Sequence, residues 1–528
     1  MTAAEPAANS AANSQAAQAP QTSQSKLAAL VSLAKRRGFI FQASEIYGGM
    51  NGVYDYGPLG AQFKKNLKDS WWRDMVESPP LGIDGKPVQI VGLDSAILQL
   101  RKVWDVVGHT ANFNDQMVDC RESKNRYRAD HIQCFFIKNK DGSPAAELIA
   151  VMDGDGVLDD AKKRFQKLRN KFPAWGELSL DNSRDLLTAR KEGFAETIIG
   201  PEASAPGTLT EPRAFNLMFQ TYVGAIQSDD SKTFLRPETC QGIFTNFKNV
   251  LDTSRVKVPF GIAQIGKAFR NEVTPRNYTF RTREFEQMEL EFFCNPEESL
   301  KWFDFWVAQR YEWWQGYGLK KSSLFQHVIP AEERAFYSQG TVDLEYQFPF
   351  TAPGFGELEG VAHRGDFDLS RHQEGSKTKL NYFDAETSQN FIPHVIEPSA
   401  GADRGCLALL CDAYQYDESR PSPEWLKLDP RLAPVKLGVF PLVNKDGVPE
   451  VAEKIYNDLR KSYICQYDAK QSIGKRYARM DECGTPLCVT VDHDSLNDQK
   501  VTVRDRNTAQ QERVAIDQLG TYVSGKLR

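Results

Sequence analysis

The stretch "FRNEVTPRNYTFRTREFEQMELEFF", Phe269 to Phe293, crowds arginines and glutamates among aromatic side chains, and it restricts the fold more than any other part of the chain. A solvated helical face is the plain reading of such a charge run. The pattern is not helical, however: a Thr-Pro-Arg-Asn cluster interrupts it, and apolar and charged residues alternate from Tyr278 to Phe292. The segment reads as two antiparallel strands joined by a loop. On the first strand Arg270 and Glu272 share a side, where a guanidinium suits a phosphate and a carboxylate suits the amino group of an adenine. On the second, Arg283, Phe285 and Glu289 share a face, with Phe285 placed to stack on a flat ring. An ion pair between Arg270 and Glu272 is the structural alternative, but a buried pair that does no more costs more than it returns.

A chain of 528 residues is too long for one core and suggests about two to four domains. With 41% apolar and 26% charged residues it reads as an ordinary soluble globular protein. The net charge of −5 carries no global mark of a nucleic-acid binder, so any such partner has to be argued from local clusters. The nine cysteines are scattered singly, as expected of reduced thiols in a cytoplasmic protein. Cys120-Arg-Glu-Ser123 resembles half of a zinc knuckle with serine in place of the second cysteine, and Cys134 arrives too late to pair with it, so no zinc is expected. No run of 18 apolar residues exists, which excludes a membrane-spanning helix from the expectations. Residues 1–25 have neither the apolar centre of a signal peptide nor the arginines of a transit peptide, and are expected to be a disordered tail.

Ordered structure is expected from Lys26, with "AQFKKNLKDSWWRDMV" an amphipathic helix carrying Phe63, Leu67, Trp71 and Met75 on one side, either as core or as a dimer surface. Over 141–212 apolar content drops and two helix-like runs, "DDAKKRFQKLRN" and "SRDLLTARKEGF", suggest an inserted helical subdomain. From 213 to 430, strand-like runs including "TFLRPETCQGIF" surround a helix at "ESLKWFDFWVAQRYEWWQGYG", giving a large antiparallel sheet flanked by helices. From 431 to 528 strands and helices alternate, as in a separate α/β domain with 16 Lys and Arg against 13 Asp and Glu.

No GxxxxGK[ST] loop and no GxGxxG after a strand is present, so a bound nucleotide needs another design. "FRNE", a loop and "FRTREFEQME" resemble motif 2 of the class II aminoacyl-tRNA synthetases; "GADRGCLALL" is similar to motif 3 and "PLGAQFKKNLKDSWWRDMV" to motif 1. With "IYGGMNGVYDYGPLG", "GLDSAIL", "YRAD", "LRPETCQGIF", "AHRGDFDL" and "VIEPSAGADRG", the resemblance is to the dimeric glycyl-tRNA synthetase family and runs from about Lys26 to the C-terminus. It implies an α+β fold: the class II antiparallel sheet flanked by helices, with 26–140 and 213–430 forming the catalytic part and 431–528 an α/β anticodon-binding domain. The family's common alanine after "RPET" is Cys240 here.

The resemblance also implies site residues. Arg270 and Arg404 are the catalytic cations, on the α- and γ-phosphates of ATP. ATP is expected to meet Arg270, Asn271, Glu272, Phe280, Arg281, Thr282, Arg283, Glu284, Phe285, Glu357, Leu358, Gly401, Ala402, Asp403 and Arg404, with Glu357 acting through Mg²⁺. Glycine is expected at Arg128, Glu238, Phe285, Glu286, Gln287, Met288, Glu289, Glu397, Pro398, Ser399, Ala400 and Gly401. Glu238, Glu289 and Glu397 stand in apolar surroundings, where carboxylates call for a cation such as an ammonium. Pro-Ser-Ala-Gly at 398–401 reads as a tight turn, Arg128 equally as a surface arginine, and His363 and Arg364 as structural or functional. The Pro275 to Tyr278 loop is expected to meet the tRNA acceptor end.

The implied reaction joins glycine to tRNA(Gly) through an adenylate, in a homodimer with no membrane contact. Glycine is chosen by filling the space a Cβ needs, so no editing domain is required. Two other readings stay open: a non-catalytic relative like the accessory subunit of mitochondrial DNA polymerase, and a class II synthetase for serine, threonine or proline. Keeping Arg270, Glu272, Phe285 and Arg404 together argues against the first, and "EPSAG" with three glutamates against the second.

Overall fold

The computed structural model describes residues 23–153, 156–335, 337–351 and 353–527; the expected tail lies outside them as far as residue 22, and a helix begins at Ser23. The centre of the molecule is a seven-stranded sheet. Its strands in chain order are β1 (Gln89–Gly92), β2 (Phe260–Phe269), β3 (Glu284–Cys294), β4 (Leu324–Val328), β5 (Gly340–Tyr346), β6 (Gly356–Gly365) and β7 (His394–Gly401). They lie in the order β4-β5-β6-β7-β3-β2-β1. All pairings are antiparallel except β1 with β2.

The pleat of β3 separates two layers. Met288, Leu290 and Phe292 point into a core built with helices α1 (Pro58–Trp72), α3 (Ser299–Gly316) and α5 (Ala402–Ala413), where Phe63, Leu67, Trp71, Trp306 and Leu407 are buried. Phe293, of opposite parity, joins Phe244, Phe247 and Leu369 from α2 (Cys240–Ser254) and α4 (Phe367–Ser376) on the other face. Toward the Phe285 end of the same face, cavities are lined by Phe285, Gln287 and Glu289. The apolar stripe of α1 is thus spent inside its own chain: Phe63, Leu67, Trp71 and Met75 are each at most 2% exposed. The alternative that this stripe is a dimer surface is thereby corrected.

Two local expectations change. "TFLRPETCQGIF" is one short strand, Lys232–Leu235, followed by the start of α2, because Pro237 cannot extend a ladder and Cys240 onward packs as a helix. The 141–212 segment contains the expected helix, Val157–Leu168, but belongs to a four-stranded sheet with Ile132–Asn139, Pro144–Met152, Trp175–Asp185 and Ile198–Ile199. Ser183–Asp185 of "SRDLLTARKEGF" pair with Phe135, Cys134 and Gln133, so tertiary pairing overrides local helix propensity there. The C-terminal part carries a five-stranded mixed sheet whose first three strands in space, Cys465–Tyr467, Leu437–Pro441 and Leu487–Val491, are parallel.

Candidate active site

The charged segment supplies only the second strand of the expected pair, β3. Its partner β2 is the preceding run Phe260–Phe269, in register from Phe260↔Phe293 to Phe269↔Glu284, so Arg270, Glu272 and Arg283 lie in the connection beyond the ladder and not on strands as expected. Beyond the ladder the Arg270 N–H still donates to the Arg283 carbonyl at 2.9 Å, so the two strands stay together as they leave the sheet. The joining loop is braced from the glycine-rich N-terminal segment. Arg283 donates through its backbone to Gly52 O (2.8 Å) and through its guanidinium to Asn51 O (2.5 Å). Gly52 has φ +71°, and a Cβ there would sit 2.3 Å from the Pro275 Cβ.

One cavity lies over this hairpin. Arg270 caps Phe285, its guanidinium 5.3 Å from the ring, and donates from Nε to Pro237 O at 3.0 Å. Glu272 is 8% exposed, and its Oε2 has no hydrogen-bond partner. Arg281 approaches it only to 3.8 Å. Arg404, on the first turn of α5, stacks 4.5 Å over Phe280 and pairs with Glu357 at 2.8 Å. Thr282, Leu358, Gly401 and Asp403 complete the wall. Three guanidiniums thus face a space that also offers an aromatic ring and a carboxylate oxygen without a hydrogen bond.

The second cavity is acidic. Glu238, Glu289 and Glu397 line it with Gln287 and Ser399. The 398–401 segment is no turn: "EPSAG" is the end of strand β7, with Glu397, Ser399 and Gly401 toward the cleft and Pro398 and Ala400 buried. Proline is tolerated there because the β3–β7 ladder, continuous from Gln287↔Gly401 to Glu289↔Ser399, is interrupted before it resumes at Phe292↔Ile396. Ser399 donates to Glu289 at 2.8 Å, and Thr239 donates to the other oxygen of the same carboxylate.

Charge in this pocket is unevenly settled. Burial works against ionisation of Glu238, but His109, Nε2 to Oε1 at 2.9 Å, acting with Arg364 and a hydrogen bond from the Cys240 thiol, holds the carboxyl well below its usual range. Burial pushes Glu289 up despite hydrogen bonds from Thr239 and Ser399. Glu397 is pushed up to about 8, chiefly by burial and by the neighbouring Glu289, although Arg364 pairs with it at 2.5 Å. A cavity in which two of the three carboxylates, Glu289 and Glu397, resist ionisation when empty favours a cationic occupant. The two cavities share Arg270, Gln287, Glu357 and Ser399 as common wall.

Comparison with known proteins places this geometry. The chain is 49% identical to a glycine–tRNA ligase of Rhodopirellula baltica, over 95% of this chain and 99% of that one. It is 46% identical to the glycine–tRNA ligase of Caldanaerobacter subterraneus, covering 94% and 98%, and 43% to that of Thermobifida fusca, covering 94% and 97%. The chain belongs to the glycine–tRNA ligase family. Residues 436–526 match the anticodon binding domain model. Among solved structures, prolyl-tRNA synthetase from Cryptosporidium parvum, complexed with halofuginone and AMPPNP, superimposes with a TM-score of 0.57 at 11% identity, over 94% of this chain and 76% of that one. The fold is that of a class II synthetase. Family membership also removes the two rival readings, the accessory subunit and a synthetase for serine, threonine or proline.

Not every residue implied by the glycine–tRNA ligase resemblance faces the cleft. Arg270, Glu272, Phe280, Arg281, Thr282, Phe285, Glu357, Leu358, Gly401, Asp403 and Arg404 line the first cavity, and Glu238, Gln287, Glu289, Glu397 and Ser399 the second. Glu284 and Glu286 project from the opposite face of β3, Glu284 to Lys267 and Glu286 to Lys64 (2.9 Å) and Lys68 (2.6 Å). Met288, Pro398, Ala400 and Ala402 are buried on the core side. Asn271 is tied through its backbone to Leu217 O, and Arg283 holds the Glu272 carbonyl at 2.9 Å as well as Asn51. Arg128 pairs with Asp115 at 3.0 Å and with Asp130 at 2.6 Å. Four residues around the acidic cavity carried no sequence signal of their own or an ambiguous one: His109, Thr239, Arg364 and Glu291. Arg364 was approachable through the i, i+4 spacing to Asp368, which it clasps at 2.7 and 2.9 Å. Glu291 was approachable through its parity with Phe285, Gln287 and Glu289. His363 is buried beside His394 and accepts from the Gly365 N–H, a structural role.

Proposed function

We propose that the protein attaches glycine to tRNA(Gly) at the expense of ATP through a glycyl-adenylate, with the arginine-lined cavity holding ATP and the acidic one holding glycine. The observation that carries the reading is their shared wall. A glycine with its ammonium among Glu238, Glu289 and Glu397 directs its carboxylate toward Arg270, where the α-phosphate of an ATP stacked on Phe285 and held by Arg404 would lie. The carboxylate oxygen attacks the α-phosphorus, the bond to the β-phosphate oxygen breaks, and pyrophosphate leaves. A hydroxyl of the terminal adenosine then attacks the glycyl carbonyl, AMP departs, and the hydroxyl proton passes to solvent. A carboxylate is already a nucleophile, so the residues supply position and charge and no general base. Glu272 accepts the adenine amino group with the oxygen that makes no hydrogen bond within the chain.

Mg²⁺ fits this arrangement at Glu357, which is half-exposed and in register with Glu345, with Asp343 opposite Gly360 on the same pair of strands; hard carboxylate oxygens with phosphates are its usual ligands. When bound it neutralises phosphate oxygens. The tRNA partner is supported by the anticodon-binding match and the +3 balance of 431–528, 16 basic against 13 acidic residues. The chain acts as a homodimer in the cytoplasm: exposed Ile46, Tyr47, Leu98, Leu100, Tyr222 and Val223 offer apolar surface for a second copy, and its nine cysteines are all free thiols. No helix among the described residues is long and apolar enough to cross a membrane. Amino-acid-dependent ATP–pyrophosphate exchange by the purified protein tests the central reading: glycine supports exchange, and exchange with serine, threonine or proline but not glycine overturns it. Gel filtration tests the dimer.

A further inference from the structure

Beneath the acidic cavity lies a carboxylate that the reaction as described does not use. Glu291 is fully buried, and neither of its oxygens has a hydrogen-bond partner. The register that pairs Glu289 with Ser399 and Phe292 with Ile396 sets Glu291 directly across from Glu397, at the point where the β3–β7 ladder is interrupted. Carboxylate oxygens of Glu289, Glu291 and Glu397 and the Cys240 sulfur all lie within 4.8 Å of one another. Like charges opposite each other on adjacent strands repel, and in a dry setting two such carboxylates do not both ionise. The groups facing Glu291 are Glu289 on its own strand, Glu397 on β7, Arg364 at the end of β6, Asp368 on α4 and Cys240 on α2. Arg364 is the cation among them, and it is already engaged with Asp368 and Glu397.

We propose that Glu291 is a positioning residue that stays in its neutral acid form and donates its O–H to the Glu397 carboxylate, fixing that carboxylate for the substrate ammonium. Glu397 is then held from one side by Arg364 and from beneath by Glu291, leaving its remaining lone pairs for the ammonium. Burial, followed by Glu397, pushes the Glu291 acid well above the usual carboxylate range, so it is the member of the pair that keeps the proton. The inference rests on the reading of this cavity as the glycine pocket.

Glycine-dependent pyrophosphate exchange separates the possibilities in three variants of the full chain. Glu291→Gln retains a donor without a charge and keeps the KM for glycine within about threefold of wild type. Glu291→Met removes the donor at similar volume, raises that KM about tenfold or more, and leaves the KM for ATP and kcat little changed, the scale of one lost hydrogen bond to a charged group. Without the donor, the pH at which glycine affinity is half lost also moves upward. Glu397→Gln tests the pocket itself: if it binds glycine normally, the pocket reading fails. If Glu397→Gln loses glycine while Glu291→Met does not, only the role of Glu291 fails. Glu291→Gln as damaging as Glu291→Met would show that an ionised carboxylate is needed there, and overturns the proposal. Should Glu291→Met not fold, Glu291→Gln decides alone, a tenfold rise in KM counting against it.

Discussion

Removing the Arg270 side chain separates a structural from a catalytic role because the structure bounds the first. Arg270→Ala loses one hydrogen bond to Pro237 O, about 1 kcal/mol. It also loses cation–π contacts with Phe113 and Phe285, each 5.3 Å from the guanidinium and worth about 0.5–1 kcal/mol at a partly exposed site. Truncation opens the space of the side chain to the cavity that Arg270 lines, so water is expected to replace the guanidinium at the Pro237 carbonyl. The total is about 2–3 kcal/mol, a fall in Tm of roughly 10 °C at most. If Arg270 meets the α-phosphate as charge shifts onto the leaving pyrophosphate, its loss costs about 3–4 kcal/mol of transition-state stabilisation, some 10²–10³-fold in rate. Glycine-dependent ATP–pyrophosphate exchange should fall by that factor at a temperature where thermal melts show the variant fully folded. Arg270→Lys, which keeps the charge but not the planar fork, should recover part of the loss. Exchange within about threefold of wild type in folded Arg270→Ala would refute the assignment, as would a loss that merely tracks unfolding.

Other outcomes follow from the same geometry. Glu289→Gln should raise the KM for glycine by about 10–100-fold in pyrophosphate exchange with little change in the KM for ATP, since a charge-assisted hydrogen bond to the ammonium contributes about 1.5–3 kcal/mol. Because Glu397 titrates at about 8 and only its ionised form accepts the ammonium, glycine affinity is present above that pH and lost below it. The KM for glycine should rise about tenfold from pH 8 to pH 6.5, and a flat profile would remove Glu397 from the pocket. Gly52→Ala places a Cβ against Pro275 at a left-handed backbone position; it should cost about 1–2 kcal/mol in denaturant melts and lower exchange by loosening the hairpin loop. Trp71→Ala should cost about 3–5 kcal/mol of stability in the same melts while the folded fraction keeps its oligomeric state on gel filtration, because Trp71 lies within its own chain's core.

Much of the fold was legible from local pattern. The alternation up to Phe292 specified the strand β3, though its partner lies before the charged segment, and the spacing of Phe63, Leu67, Trp71 and Met75 specified a helix with one buried face. The helix at 299–316 stood out likewise. Where local signals failed, pairing across long separations had decided otherwise. Pro398-Ser399 has turn chemistry, yet β3 and β6 on either side hold it as strand. Ser183–Asp185 open a helix-like run, yet partners some fifty residues earlier make them strand.

The sequence by itself determined the residue types that meet substrates, because alternation along β3 assigns Phe285, Gln287 and Glu289 to one face without reference to anything distant. It also determined the family, through motifs spread from Lys26 to the C-terminus. Only the tertiary structure decided how the charges settle. Glu238 is kept ionised by His109 and Arg364 together, Glu286 is spent on Lys64 and Lys68 behind the sheet, and Glu291 faces Glu397 because the β3–β7 register puts it there. Electrostatic energy depends on separation in space and on burial, and neither quantity is written in the order of residues along a chain.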